Sequence, residues 1–258
     1  MSSLGRQRSR PGALNNVLFF MMKKVKPKTF IKKTGTLVLK IIFILFIVSV
    51  LQVLILKWTD PVTSSVMIQR QIESLFTGGE SVSYIWCNYN DISVAVALAV
   101  VASEDQNFPN HFGFDFDQIN KALKERKERR RLRGASTITQ QVAKNLFLWE
   151  GKSFIRKGIE AYYTILIETF WSKKRILEVY LNIAEMGNNV FGVGAASKIY
   201  YNKIPKKLTL GESALIAAVL PNPKRYSVRN PSGYIQRRQQ WIIRQMNSLG
   251  GVAYIKDL

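Results

Sequence analysis

The sequence predicts a mainly α-helical domain that follows one membrane-spanning helix. Residues 37–56, LVLKIIFILFIVSVLQVLIL, form an apolar run, and the remainder of the chain is dense in helix-capping signals. Strand signals are few and short, and no internal repeat or low-complexity linker interrupts the pattern. With 258 residues, the chain has room for one domain of ordinary size and an appendage.

The apolar run has the length that a helix needs to cross a bilayer, since about 20 apolar residues span the hydrocarbon core. Its single charge, Lys40, lies one turn from the start, where a lysine side chain can reach the headgroups. A buried core helix is the alternative, but only a membrane favours a helix that is apolar on every face. A cleaved signal peptide is disfavoured because the run is long for one and KWTDPVTSS lacks a cleavage site of the A-x-A type.

The net charge of +21, from 38 Lys and Arg against 17 Asp and Glu, indicates an anionic partner. The first 40 residues hold ten of the basic residues and no acidic one, because the first acid is Asp60. The other 28 basic residues and all 17 acidic ones follow, a net charge of +11. The positive-inside rule therefore divides the chain into a basic cytoplasmic segment (1–36), a transmembrane helix (37–56) and an extracytoplasmic domain (57–258). Topology and anionic lipids explain the basic segment, so nothing requires nucleic acid.

Capping signals position the helices of the extracytoplasmic domain. Asp91 is predicted to cap an apolar, buried helix, while the pairs Thr137/Gln140 and Thr209/Glu212 fit capping boxes. Gly250 suits the end of the last helix, and Pro221 stops the one before it. The predicted helices are 63–76, 92–103, 115–131, 136–148, 153–171, 173–184, the segment around LIAAVL (215–220), and 231–248.

The cysteine and histidine counts restrict the chemistry. The chain has one cysteine, Cys87, and one histidine, His111, so it can form no internal disulfide and no structural zinc site of the usual Cys/His type. A Ser-His-Asp or Cys-His mechanism would have to use His111. From the sequence alone, His111 is either a proton-transfer group or a residue that fixes a loop through hydrogen bonds.

The first candidate site residues are Glu104 and Asp105, in VVASEDQNFPNHFGFD, directly after the apolar helix. A carboxylate at a helix C-terminus faces the negative end of the dipole, and apolar surroundings disfavour its charge. Both effects would move its pKa towards that of a useful general base. An ordinary polar helix end is the alternative.

The second and third candidates lie in GASTITQQVAKN and RKGIE. Thr137, Gln141 and Lys144 have i, i+4, i+7 spacing, so they share a helix face that suits sugar hydroxyls and phosphate oxygens, unless it is a solvated face. Arg156 and Lys157 lie one turn before Glu160, an arrangement that is either a surface ion pair or, with Lys144, a cationic cluster suited to a diphosphate. The basic run 124–133 is either a mobile solvated face or a surface against anionic headgroups. No phosphate loop, dinucleotide fingerprint or metalloprotease motif occurs.

These segments, in this order, resemble the family 51 peptidoglycan glycosyltransferases over about residues 65–250. EDQNFPNHFGFD fits the family pattern E-D-x-x-F-x-x-H-x-G-x-D, and GASTITQQVAKNLF, RKGIEA, KKRILEVYLNIAEMG and LTLGESALIAAVLPNP fit the four further motifs. The resemblance implies a lysozyme-like, two-lobed helical fold. Because the chain ends soon after the fifth motif, it is expected to be the monofunctional, membrane-anchored type without a transpeptidase domain.

The resemblance also implies a reaction, the polymerisation of lipid II. The GlcNAc 4-hydroxyl of lipid II attacks C1 of the MurNAc of a growing glycan, polyprenyl diphosphate leaves, and a β-1,4 bond forms with inversion. Glu104 would be the base, and Glu160 would support the donor diphosphate directly or through a cation. The other implied substrate-binding residues are Asp105, Phe108, His111, Ser136, Thr137, Gln140, Gln141, Lys144, Asn145, Arg156 and Lys157.

The resemblance further implies partners and a location. The expected partners are lipid II, the growing glycan strand and membrane lipids. Cell-wall synthesis proteins are possible further partners, and nucleic acid is not expected. The location is the bacterial inner membrane, crossed once, with the catalytic domain in the periplasm. No protein metal site is visible, so a divalent cation such as Mg²⁺ or Mn²⁺ is expected, if at all, at the diphosphate.

Two alternatives remain at this point. A lytic transglycosylase or muramidase shares the lysozyme-like fold but needs no diphosphate site, so the cations at Lys144, Arg156 and Lys157 argue against it. A non-catalytic membrane adaptor that binds anionic lipids explains the charge but not Glu104 and Glu160.

Overall fold

The computed structural model describes residues 27–127, 136–256 and 258, and it is mainly helical, as predicted. The chain forms two units, which divide between Leu51 and Gln52. The described helices are α1 (Pro27–Leu56), α2 (Ser65–Thr77), α3 (Val94–Glu104), α4 (Phe116–Lys127), α5 (Ile138–Phe147), α6 (Phe154–Phe170), α7 (Lys173–Ile183), α8 (Gly192–Tyr201), α9 (Leu210–Val219) and α10 (Gly233–Ser248). Short 3₁₀ turns cover Tyr89–Asp91, Phe108–Asn110, Pro205–Lys207 and Gly251–Ile255.

Helix α1 contains the predicted apolar run and ends at the predicted residue, Leu56. The most apolar 18-residue stretch within Gly35–Leu56 has a mean hydropathy of 2.9, and over the described residues this is the one helix long and apolar enough to cross a membrane. Most of the basic segment 1–36 lies outside the described residues, as does the end of the predicted helix 115–131.

In the second unit, the apolar helix α3 is buried along most of its length and packs against α9 and α10. Helix α5 packs against α6 and α7, and α7 against α8. One continuous hydrophobic core joins these helices. Because α3 is surrounded by other helices, its C-terminal residue, Glu104, is placed at the edge of this core instead of in solvent.

Local capping decides several helix ends. The boxes Thr137/Gln140 and Thr209/Glu212 are both formed, as predicted. The predicted N-cap of α3, Asp91, is wrong: Asp91 belongs to a 3₁₀ turn, and α3 begins after Ser93. An acidic residue two positions before the true cap carries the same sequence signal, and the 3₁₀ turn to which it belongs is not visible in the periodicity.

The few strands form one small sheet in the order β1 (Ser83–Tyr84), β3 (Val190–Phe191), β2 (Glu185–Gly187). Strand β1 pairs with β3 in parallel, with Ser83 opposite Val190. Strand β2 pairs with β3 antiparallel and has a bulge between Glu185 and Gly187. Strands β2 and β3 lie between α7 and α8 in the chain, whereas β1 precedes α3, and the sharp connection from β3 to α8 passes through Gly192.

Gly192→Ala should destabilise the fold by about 2–4 kcal/mol. The residue has φ +76, which disfavours a side chain, and a Cβ would lie 2.3 Å from the backbone oxygen of Asn182. Urea unfolding in detergent would measure the change. The matched control is Gly158→Ala in α6, where nothing lies within 4 Å of the added Cβ. That variant should gain stability, by up to about 1 kcal/mol. Equal stability of the two variants would contradict the steric argument.

Candidate active site

A cavity of about 620 Å³ opens at the C-terminal end of α3. Its walls come from α3, the start of α4, α5, α6 and α10 and from the loop around Pro221. Most of the predicted site residues line it: Glu104, Asp105, Ser136, Thr137, Gln140, Gln141, Lys144, Arg156, Lys157 and Glu160. Segments that are far apart in the sequence therefore meet at one place.

Glu104, the last residue of α3, faces this cavity with 14% of its side chain exposed. Gln141 Nε2 donates a hydrogen bond to Glu104 Oε2 at 3.1 Å, and the Tyr180 hydroxyl donates to Gln141 Oε1 at 3.0 Å. Arg238 Nη2 lies 3.6 Å from Glu104 Oε1. Burial raises the pKa of the Glu104 carboxyl, and the Gln141 hydrogen bond and the Arg238 charge partly oppose that rise. A carboxylate with these properties can accept a proton from a bound hydroxyl.

Asp105 lines the same cavity, but its carboxylate is engaged within the protein. Its Oδ2 accepts a hydrogen bond from the Ile138 amide at 2.9 Å, which satisfies a free N–H at the start of α5. His111 Nε2 lies 2.9 Å from Asp105 Oδ1. These contacts fix the end of α3 against the start of α5 and so hold Glu104 and Gln141 in register.

Phe108 and His111 do not line this cavity. Phe108 is fully buried and meets the His111 ring edge-on, with ring centroids 6.3 Å apart. Lys173 Nζ lies 4.6 Å from the Phe108 ring centroid and donates to the His111 backbone oxygen at 2.6 Å. Of the two interpretations of His111, this geometry matches the residue that fixes a loop.

Thr137 and Gln140 carry the N-terminal cap of α5. The Thr137 hydroxyl donates to the Gly113 backbone oxygen at 2.6 Å and accepts from the Gln140 amide at 3.2 Å. Gln140 Oε1 accepts from the Thr137 amide at 3.0 Å. The side chains of Thr137 and Gln140 are buried and occupied by these hydrogen bonds, whereas Ser136 at the cavity wall is exposed.

The cationic side of the cavity is built on α5 and α6. Arg156 Nη1 donates to Glu160 Oε2 at 2.8 Å, its Nε donates to the Gly151 backbone oxygen at 2.8 Å, and the Lys157 ammonium contacts the other Glu160 oxygen. Glu160 is buried, so two cations compensate its charge. Lys144 makes no ion pair with any described residue, and burial lowers the pKa of its ammonium.

Asn145 lines a second, smaller cavity of about 250 Å³. Gln141 and Lys144 border both cavities, so the two are neighbours across α5. Asn145 is therefore placed beside the first cavity and not in its wall.

Sequence reasoning missed two residues: Arg238 on α10, which lies beside Glu104, and Tyr180 on α7, which holds Gln141, the hydrogen-bond donor to Glu104. Arg238 lies in YIQRRQQW, where adjacent arginines on a polar helix give no local signal of a site. Only the packing of α10 against α3 brings it to Glu104.

The fold and the cavity define a class of protein, a mainly helical enzyme domain with two carboxylates in one cavity. One carboxylate, Glu104, is desolvated, and the other, Glu160, is buried between two cations. Residues 69–247 match the family model described as transglycosylase. This match covers more than half of the chain, which therefore belongs to the transglycosylase family.

Close relatives agree with that assignment. The chain is 59% identical over 177 residues to the biosynthetic peptidoglycan transglycosylase of Mannheimia succiniciproducens, an alignment that covers 69% of this chain and 72% of the relative. It is 54% identical over 196 residues to the protein of that name from Cronobacter sakazakii, covering 74% and 80%. With the Xylella fastidiosa protein of that name, identity is 48% over 217 residues, covering 83% and 89%.

Proposed function

We propose that this chain is a membrane-anchored peptidoglycan polymerase that extends glycan strands from lipid II. The observation that carries the proposal is the arrangement of one cavity: Glu104, with a raised carboxyl pKa, shares it with Lys144, Arg156 and Lys157. A base and a diphosphate site are the two requirements of sugar transfer from a lipid diphosphate. A hydrolase of glycosidic bonds needs no diphosphate site.

In the proposed reaction, Glu104 accepts the proton of the GlcNAc 4-hydroxyl of lipid II as the oxygen attacks C1 of the donor MurNAc. The bond between C1 and the diphosphate oxygen breaks, and polyprenyl diphosphate leaves with the bonding electrons. Attack from the face opposite the leaving group converts an α-linked donor into a β-1,4 product. Gln141, held by Tyr180, fixes the Glu104 carboxylate for this transfer.

Negative charge grows on the diphosphate as its bond to C1 breaks. Lys144, Arg156 and Lys157 stabilise that charge, and they do so without rearrangement because Glu160 already holds Arg156 and Lys157 in place. Glu160 thus acts on the leaving group through these cations. Ser136, exposed at the cavity wall, contributes to the surroundings of the sugars and phosphates, whereas Thr137 and Gln140 act by capping α5 and Asn145 lies beside this cavity.

The protein residues do not fit a resident divalent cation. Within the described residues, no group of three His, Cys, Asp or Glu side chains could hold a metal ion. Cations contact both oxygens of Glu160, and the Ile138 amide and His111 contact those of Asp105. Any Mg²⁺ or Mn²⁺ would therefore have to be held by the substrate diphosphate.

For the location, we propose a single pass through the bacterial inner membrane with the catalytic domain in the periplasm. The apolar part of α1 and the excess of basic residues before it support this orientation. Lipid-linked substrates confined to the membrane would then meet a domain tethered to the same surface. We propose lipid II, the growing strand and membrane lipids as its partners, together with other cell-wall synthesis proteins.

Incubation of the purified chain with lipid II, followed by sizing of the products, tests the proposed function. Long glycan polymer is expected. Shortening of preformed glycan would instead indicate a lytic enzyme, and unchanged substrate in the presence of a folded protein would indicate a binding protein.

Arg238→Gln should move the acidic limb of the pH profile of kcat/KM to higher pH. The base must be ionised to act, and the Arg238 charge lowers the Glu104 pKa, so its removal raises that pKa. Initial polymerisation rates across the acidic range would measure the shift. The matched control, Arg237→Gln, removes an equal charge from the exposed neighbouring position. If both variants kept the wild-type limb, Glu104 would not be the group that titrates.

A further inference from the structure

Arg70, on α2, is a buried cation that binds three carboxylates. Its Nη1 and Nη2 each donate to one oxygen of Glu150 at 2.8 Å. The same guanidinium donates to Glu185 at 3.3 Å and to Glu73 at 3.1 Å. Its side chain is 8% exposed. The two-point contact with Glu150 is the strongest geometry available to an arginine and fixes the direction of that carboxylate.

This network borders the second cavity, whose wall includes Arg70, Glu150, Glu185 and Lys144. Lys144 therefore has a carboxylate on each side: Glu150 in the second cavity and Glu160 in the first. Yet it makes no ion pair with a described residue, because Arg70 binds Glu150, and Arg156 and Lys157 bind Glu160. The negative charges of Glu150 and Glu160 nevertheless reach Lys144, since both raise the pKa of its ammonium.

Burial does not fix the Glu150 carboxylate. Its side chain is 45% exposed and follows the end of α5, in the loop that leads to α6. Two contacts from α2 hold this residue: the Arg70 guanidinium binds its carboxylate, and Gln69 Oε1 accepts from its backbone N–H at 2.8 Å. Without the guanidinium, the carboxylate is free to turn to another cation on the same cavity wall, and Lys144 is one.

We propose that Arg70 is a positioning residue, which holds the Glu150 carboxylate away from Lys144 and so keeps that ammonium available to a substrate diphosphate. The inference rests on the proposed function, because a diphosphate is taken as the ligand of Lys144. It adds a requirement outside the catalytic cavity, because the contact of Arg70 on α2 with Glu150 determines whether Lys144 on α5 is free to bind the diphosphate.

Arg70→Gln should lower turnover at saturating lipid II by about tenfold, as expected when a neighbouring charge competes for a binding group. Adding Glu150→Gln should restore turnover to within about threefold of wild type, because the competing charge is gone. The matched control is Arg70→Gln with Glu73→Gln. Glu73 is also bound by Arg70 but lines neither cavity, so this pair should stay as slow as Arg70→Gln alone.

A purely structural role for Arg70 gives a different pattern. In that case Arg70→Gln lowers the melting temperature, and adding Glu150→Gln cannot restore turnover while the melting temperature stays low. Failure of Glu150→Gln to rescue, equal rescue by Glu73→Gln, or wild-type turnover in Arg70→Gln would each overturn the proposal. If loss of the charge beside buried Glu185 prevents folding, Arg70→Lys keeps a cation there but cannot bind both Glu150 oxygens. The same selective rescue by Glu150→Gln is then expected, and its absence is decisive.

Binding of inorganic diphosphate, measured by calorimetry on the same preparations, separates this inference from the proposed function. It should weaken in Arg70→Gln and recover with Glu150→Gln. If the wild-type chain makes no polymer but binding follows this pattern, the proposed function fails and the positioning role stands. If polymer forms but neither turnover nor diphosphate binding is rescued, the positioning role fails alone.

Discussion

Glu104→Gln should abolish polymerisation while the protein still folds and binds lipid II. The substitution keeps the size of the side chain and leaves an amide in the cavity, but it removes the group proposed to accept the 4-hydroxyl proton. General bases typically contribute about 10²–10⁴-fold to rate, so a loss in that range is expected. Initial rates at saturating lipid II and binding of lipid II to the same preparation would measure the two effects.

The stability of this variant supplies a further check. Burial raises the Glu104 pKa in the folded protein, so ionisation of the carboxyl costs folding free energy as the pH rises from its unfolded pKa through its folded pKa. At neutral pH, Glu104→Gln should therefore melt no lower than wild type. The control Asp117→Asn, at an exposed carboxylate on α4, should keep normal turnover. If Glu104→Gln retained more than about a tenth of the wild-type rate, Glu104 would not be the base.

Arg156→Ala should reduce turnover at saturating lipid II by about 10²-fold, with a smaller change in half-saturation. The negative charge on the diphosphate grows as its bond breaks, so a fixed cation stabilises the transition state more than the bound substrate. Arg156→Lys should recover only part of the loss, because lysine offers a point charge where the guanidinium can hold two oxygens. Initial rates and melting temperature on one preparation measure both effects.

The matched control for Arg156 is Lys152→Ala, which removes a cation from the same segment at an exposed position outside the first cavity. It should leave turnover near normal. Arg156 also pairs with buried Glu160, so Arg156→Ala is expected to lower the melting temperature as well. A variant that lost stability but kept its turnover would reduce Arg156 to a structural partner of Glu160 and remove it from the diphosphate site.

Local sequence patterns predicted the helices because the controlling interactions are local. The capping boxes at Thr137 and Thr209 join residues three positions apart, and both are present. The apolar composition of α3 correctly predicted its burial. The error at Asp91 was also local, since that residue ends a 3₁₀ turn and the true cap, Ser93, follows two positions later.

Tertiary packing decided the parts of the site that the sequence could not predict. Spacing on α5 grouped Thr137, Gln141 and Lys144, and all three do line one cavity, but Thr137 is occupied by the helix cap. Arg238 reaches Glu104 only through the packing of α10 against α3. No local pattern in the sequence marks such a long-range pair, and the roles of these residues in catalysis stay predictions.

The central claim is that one cavity transfers a sugar from a lipid diphosphate to a sugar hydroxyl. The most direct test is to incubate the chain with lipid II in heavy-oxygen water and to compare three quantities: polyprenyl diphosphate released, β-1,4 bonds formed, and heavy oxygen incorporated into the glycan. We predict one diphosphate released for each bond formed, and no heavy oxygen in the product. Diphosphate release without bond formation, or heavy oxygen at newly formed chain ends, would mean that water is the acceptor and would contradict the account.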